Sequence, residues 1–141
     1  FPEGRKGTEK TYNQRYRLRR FGRGGFVEAA ARAEAKLVPV CVMGAEEAMP
    51  IFAQVKFLKR LTGLLYFPIT PTFPWLGPLG MLAYLPAKFR LRFLEPIDTA
   101  SVTVEPAPDT AQVQVLAQEV RARIQENLDD MVARRESVWF G

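Results

Sequence analysis

The chain has 141 residues, with 20 Lys and Arg against 15 Asp and Glu, a formal net charge of +5, one cysteine and no histidine. That length suits one domain or a large part of one, and a hydrophobic fraction of 48% with 25% charged residues excludes intrinsic disorder. One cysteine excludes an internal disulfide, and without histidine the usual nitrogen and sulfur ligand sets are missing, so no metal site is expected.

Charge is concentrated at the start. Residues 1–36 hold ten Lys/Arg against four Glu, whereas 37–110 balance six against six and 111–141 hold four against five. Residues 1–23 are polar, basic and poor in aliphatics, and read as a long loop. Pro2 biases Phe1 to extended geometry, so Phe1 closes a strand. Gly4 allows a sharp turn and lets backbone N–H groups approach a ligand. Glu3 offers a carboxylate that accepts from ligand hydroxyls or orients a nearby cation. Arg5 and Lys6 set positive charge where a phosphate would be drawn. Arg15, Arg17, Arg19, Arg20 and Arg23 extend the basic patch, which attracts nucleic acid, anionic headgroups or phosphorylated substrates alike. Tyr12, Tyr16 and Phe21 interleave the arginines, and Arg23-Gly24-Gly25 is a single RGG triplet. Nothing else points to nucleic acid, and none is expected as a partner. A solvated basic loop is the plain alternative.

Gly22–Gly25 leads into an Ala-rich helix, Phe26–Ala35, whose N-terminus is a second natural anion site. Leu37–Met43 is continuously apolar and ends at Gly44, which predicts a strand covered on both faces as in a parallel sheet. Pro39 argues against a central position in that sheet. Residues 46–60 suggest a short helix after Glu46-Glu47, interrupted by Pro50.

Residues 61–87 carry no charge. The length could cross a bilayer, but Pro68, Pro71, Pro74 and Pro78 exclude a spanning helix. Two readings remain: a buried irregular loop, or a surface that dips into the membrane interface or lines an acyl-chain groove. Lys56, Lys59, Arg60, Lys88, Arg90 and Arg92 flank the run, and no carboxylate falls between Glu47 and Glu95, which suits an anionic membrane surface. Lys88–Leu94 alternates as a half-buried strand, with Phe89, Leu91 and Phe93 on one side. Ser101–Val104 is a possible short strand. Val113, Leu116, Val120, Ile124, Leu128 and Met131 predict a long amphipathic helix from Thr110 to about Glu136. The expected fold class is α/β, a partial mixed sheet with flanking helices.

Phe1-Pro2-Glu3-Gly4-Arg5-Lys6-Gly7 resembles the Phe-Pro-Glu-Gly-Thr-Arg-Ser motif of the glycerolipid acyltransferases. Lys6 and Gly7 stand where that family has arginine and serine; lysine keeps the charge but loses bidentate phosphate recognition. Tyr16-Arg17-Leu18, Phe21–Phe26, Gly44–Pro50, Phe67–Gly80, Glu95-Pro96-Ile97 and Arg135–Gly141 resemble the bacterial branch related to mono- and diacylglycerol acyltransferases. Val38-Pro39-Val40 resembles the family's next motif, a strand whose proline helps to shape the acceptor site. The resemblance spans nearly the whole chain. It implies a glycerol-3-phosphate acyltransferase-like fold in which residues 1–141 are the C-terminal portion of one acyltransferase domain, the N-terminal half missing. It also implies acyl transfer from acyl-CoA or acyl carrier protein, as substrates with no cofactor, to a hydroxyl of lysophosphatidate, glycerol phosphate or mono- or diacylglycerol. Phe1, Pro2, Glu3, Gly4, Arg5, Lys6, Val38 and Pro39 are the implied substrate-binding residues. The family's general base is a histidine with an aspartate five positions later, upstream of this motif. This chain has no histidine, so no catalytic residue is assigned to it. The expected location is the cytoplasmic face of a membrane, peripheral or anchored by a segment not present here. The alternative is a catalytically inactive lipid- or membrane-binding module.

Overall fold

The computed structural model describes residues 2–4, 7, 10–54, 68–73, 75–81 and 83–139, and seven helices and strands are assigned among these described residues. They are α1 (Gly25–Arg32), β1 (Val40–Met43), α2 (Ala45–Ala48), β2 (Ala53–Gln54), β3 (Pro68–Ile69), β4 (Arg90–Phe93) and α3 (Thr110–Ala133), with 3-10 turns at Tyr12–Gln14 and Gly77–Met81. The architecture is a small α/β assembly. Its described strands pair only antiparallel, β1 with β4 and β2 with β3.

The last helix organises the core. Asp109 caps it, its carboxylate accepting from the Ala111 and Gln112 backbone N–H groups at 2.9 and 3.3 Å. Three- and four-residue steps then place Val113, Leu116, Val120, Ile124, Leu128 and Met131 on one buried face. That face packs on β1 and α1, meeting Val27, Cys41 and Met43, with Tyr16, Phe21, Ile97 and Val102 filling the margins. Gly24 sits where α1 starts, and a Cβ there would come within 2.6 Å of Val113 Cγ1, so α1 and α3 approach as closely as backbone allows. The helix ends at Ala133, three residues short of the predicted end.

The sheet corrects two expectations. Leu37–Met43 was expected to be covered on both faces in a parallel arrangement. Instead Val40–Met43 pairs antiparallel with Arg90–Phe93, in the register Val40 with Phe93, Cys41 with Arg92, Val42 with Leu91 and Met43 with Arg90. A bridge between Leu37 and Ile97 prolongs the pairing, and the Pro39 carbonyl accepts from Leu94 N–H at 2.9 Å. Leu94 lies opposite Pro39 in this register, so theirs is a one-bond pair at the end of the ladder, because proline has no N–H to return to the Leu94 carbonyl.

The second correction concerns which face of β4 is buried. Lys88–Leu94 was expected to bury Phe89, Leu91 and Phe93. Cross-strand partners share a face, so Cys41, Met43, Arg90 and Arg92 all turn towards α3, where Arg92 donates to Asp130 at 2.8 Å and Asn127 at 3.2 Å. Phe89, Leu91 and Phe93 lie on the other face with Val38 and Val42, and this face is open: Leu91 is 59% and Phe93 71% exposed. Aliphatic alternation cannot say which side meets the helix. The Arg92–Asp130 pairing and the buried Cys41 and Met43 decide it. Ser101–Val104, a possible strand by composition, forms turns and bends with Val102 buried.

Asp130 bridges Arg92 and Arg134, the latter at 2.7 Å. Hydrogen bonding from Arg92, with Arg134 adding to it, holds the Asp130 carboxyl below the usual carboxylate range. A folded pKa depressed below the unfolded value of about 3.9 stabilises the fold above that pH and is lost as pH falls through the folded value. The stability difference between wild type and Asp130→Asn is therefore expected to be full near neutrality and to shrink below pH of about 4. Urea unfolding across pH measures it, and a pH-independent difference would remove the ion pair as the cause.

Candidate functional site

The opening turn is built from Pro2, Glu3 and Gly4. Gly4 has φ of +58°, in the left-handed region that glycine reaches without strain. The turn closes with Gly7 N–H donating to Gly4 carbonyl at 3.1 Å, and Gly22 N–H donating to Pro2 carbonyl at 3.2 Å. Glu3 points back into the protein. Its carboxylate accepts from Arg19 N–H and lies 3.6 Å from Lys10 Nζ. Lys10, with a side chain only 7% exposed, also pairs with Glu46 of α2 at 2.7 Å and donates to the Arg17 carbonyl at 3.3 Å. Glu46 accepts in turn from Tyr16 N–H. A buried ammonium between two carboxylates thus ties the turn to the first residues of α2. Of the two roles open to Glu3 in the sequence, the observed one is orienting a cation.

A second buried cluster lies beside the first. Tyr16, at φ of +62°, sends its phenol under the end of β1. The hydroxyl donates to Glu47, accepts from Gly44 N–H at 3.1 Å, and accepts from Arg135 Nη1 at 3.1 Å. Glu47 is 2% exposed and pairs with Arg135 at 3.2 Å and with Arg15 at 3.8 Å. Arg135 also donates to the Ser137 and Val138 carbonyls at 2.9 Å each. Burial, reinforced by the hydrogen bond and charge of Glu47, pushes the Tyr16 phenol well above its ordinary value, so it stays protonated and donating. Loop, sheet end, α2 and C-terminal tail are thereby joined through one hydroxyl and one carboxylate.

Outside this polar interior lies the positive surface. Arg15 stacks over the Tyr12 ring at 4.3 Å, and Arg17, Arg19, Arg20 and Arg23 are exposed. Carboxylates are turned inward and guanidinium groups outward, an arrangement that draws anions to the turn. Arg121 of α3 fixes the path of this segment by donating to the Leu18 and Arg19 carbonyls at 2.8 and 3.0 Å.

Of the residues expected to bind substrate, Pro2, Glu3 and Gly4 come together in the turn. Phe1, Arg5 and Lys6 lie outside the described residues. Val38 and Pro39 precede β1, whereas the Tyr16 and Glu47 cluster lies at its far end, roughly 20 Å away at about 3.3 Å per residue. Val38 is exposed on the open sheet face and Pro39 is buried. Sequence reasoning passed over Lys10, Glu46, Glu47 and Arg135 as site residues, because a buried charge and a solvated one have the same local signature. Cys41 is buried, with its Sγ 3.6 Å from the Ile124 carbonyl, and burial raises its thiol pKa, so it is no nucleophile. A shallow cavity of about 350 Å³ is lined by Arg90, Leu91, Arg92, Met131 and Arg134. Asp130 already engages Arg92 and Arg134 there.

The chain has relatives along its whole length. An uncharacterized protein of Mycobacterium tuberculosis is 49% identical over 141 residues, covering 100% of this chain and 39% of that protein. An uncharacterized protein of Mycobacterium leprae is 46% identical over the same 141 residues, covering 38% of its own length. The chain spans about 39% of the curated relatives it matches. No family model matches it, and no solved structure does. Among the described residues no group of His, Cys, Asp and Glu is arranged to hold a metal ion, and no helix is long and apolar enough to cross a membrane.

Proposed function

We propose that this chain is the acceptor-binding portion of a glycerolipid O-acyltransferase with a glycerol-3-phosphate acyltransferase-like fold. The observation that carries the reading is the Pro2–Gly4 turn. It has the motif's residues, a glycine at positive φ, a carboxylate locked by Lys10 and Arg19 N–H, and exposed arginines nearby. Such a turn presents N–H groups and positive field to a phosphate or glycerol hydroxyl while Glu3 holds it in place. Relatives more than twice as long, and an apolar sheet face left open, agree with a larger domain of which this is one part.

In that enzyme the acceptor hydroxyl attacks the thioester carbonyl of acyl-CoA or acyl carrier protein. The C–S bond breaks, the acyl group passes to oxygen, and the hydroxyl proton moves through a general base to the leaving thiolate. A histidine positioned by an aspartate, supplied by the longer protein, is that base. The chain's own residues bind and orient the acceptor, at the cytoplasmic face of a membrane. Lysophosphatidate, glycerol phosphate and mono- or diacylglycerol all suit the site.

In the full-length protein, Glu3→Gln and Lys6→Ala are expected to lower kcat/KM for the acceptor by about tenfold or more, as loss of a charged hydrogen bond does, with the donor KM little changed. Lys6→Arg is tolerated with phosphorylated acceptors, because guanidinium binds phosphate bidentately. Steady-state kinetics with each substrate varied in turn decides it. A change confined to donor KM would overturn the assignment of the turn. A second reading, which the exposed apolar residues of the open sheet face would also suit, is an inactive lipid-binding module. A coding sequence with no His-x4-Asp upstream of Phe1 would select that reading.

A further inference from the structure

The proline-rich loop around Trp75 has a construction that neither the turn nor the acyl-transfer chemistry explains. Its base is buried and its tip is apolar and exposed. Thr70 is 2% exposed and Phe73 is buried beside it. Thr70 N–H donates to the Phe73 carbonyl at 3.0 Å, and Phe73 N–H donates to the Thr70 hydroxyl at 2.9 Å. The Thr72 hydroxyl donates to the Gly80 carbonyl at 2.8 Å, and the Thr72 carbonyl accepts from Leu76 N–H at 2.9 Å. A Cβ at Gly80 would overlap the Thr72 carbonyl, so the loop closes on itself at that glycine. From this base Trp75 projects 78% exposed, Leu76 61% and Leu79 74%. Leu76 stands just ahead of the Gly77–Met81 turn and Leu79 within it.

Two features argue for lipid over a protein partner. Backbone entering a hydrocarbon boundary must carry its own hydrogen bonds. Here Pro71, Pro74 and Pro78 contribute no N–H, and the bonds above occupy other donors and acceptors internally. The charge balance agrees: residues 48–94 hold six Lys and Arg and no carboxylate. Lys88 among them is exposed. A segment with cations and no carboxylate around an exposed Trp and Leu tip complements anionic headgroups in its overall charge. We infer that the Trp75–Leu79 tip is a preformed finger that inserts into the interfacial layer of an anionic membrane. The inference deepens the proposed lipid chemistry by placing the protein on its substrate's surface. Membrane binding is measured without donor or acceptor, so its failure is separable from failure of acyl transfer.

The test uses the full-length protein with vesicles of phosphatidylcholine alone and of phosphatidylcholine mixed with phosphatidylglycerol. Wild type is expected to cosediment with the mixed vesicles, and Trp75→Ser with Leu79→Ser to bind them about tenfold or more weakly, from lost apolar burial. The melting temperature should not move, since both side chains are exposed. Brominated lipid should quench a fluorescence component that Trp75→Phe lacks. Unchanged binding by the double variant would overturn the inference, as would equal binding to both vesicle types. So would shielding of Trp75 from acrylamide in the lipid-free protein, which would mean that another part of the chain covers the finger.

Discussion

Arg135→Met is expected to destabilise the fold by about 3–5 kcal/mol, the cost of leaving a buried carboxylate without its charge partner. Glu47 is 2% exposed, and Arg135 approaches it at 3.2 Å from a side chain itself only 7% exposed. The remaining cation, Arg15, is more distant at 3.8 Å and sits on the surface. Arg135 also holds the Tyr16 hydroxyl and the Ser137 and Val138 carbonyls. Its loss therefore releases the C-terminal tail from the N-terminal loop. The double variant Glu47→Gln with Arg135→Met is expected to recover most of the loss, because it buries no uncompensated charge. Urea midpoints of the full-length wild type, single and double variants measure the coupling. A single-variant cost below about 1 kcal/mol, the range of exposed ion pairs, would show that this contact does not hold the two ends together.

Gly44→Ala is expected to cost about 3 kcal/mol or more through backbone strain and overpacking together. Gly44 ends β1 at φ of +110°, outside what an L side chain readily adopts. An added Cβ would overlap the Lys88 carbonyl oxygen and come within 3.0 Å of Phe89 Cα, both backbone atoms that cannot rotate away. Its N–H also donates to the Tyr16 hydroxyl. A shift there would disturb the start of β4 and the Tyr16 cluster together. Thermal unfolding reads the effect. A small residue accepted with an unchanged melting temperature would mean that the β1 end and the Lys88 backbone part easily.

Sequence legibility differed among the parts for identifiable reasons. The long helix was legible because six apolar residues repeat at helical steps. The short helix was expected after Glu46-Glu47 but lies at Ala45–Ala48, so the two glutamates are inside it and not ahead of it. The β1 and β4 strands were legible as segments, but their burial was not. A run such as Val38–Met43 is equally apolar on both sides, so nothing local says that one side stays open. In β4 the local signal was misleading: alternation predicts that Phe89, Leu91 and Phe93 go inward, yet Arg92 pairs across to Asp130, 38 residues away.

The candidate site divides the same way. The motif by itself determined that a turn with a glycine at Gly4 and clustered positive charge stands at the head of the chain, because those are properties of residue types at adjacent positions. Only the tertiary structure decided that Glu3 is spent on Lys10 and Arg19 N–H, that Glu46 and Glu47 of one short helix serve two different clusters, and that Arg135 closes the second cluster from the far end of the chain. Those pairings span separations from 7 to 119 residues. A charge reveals its partner, and whether it is buried, only when packing has excluded water from around it.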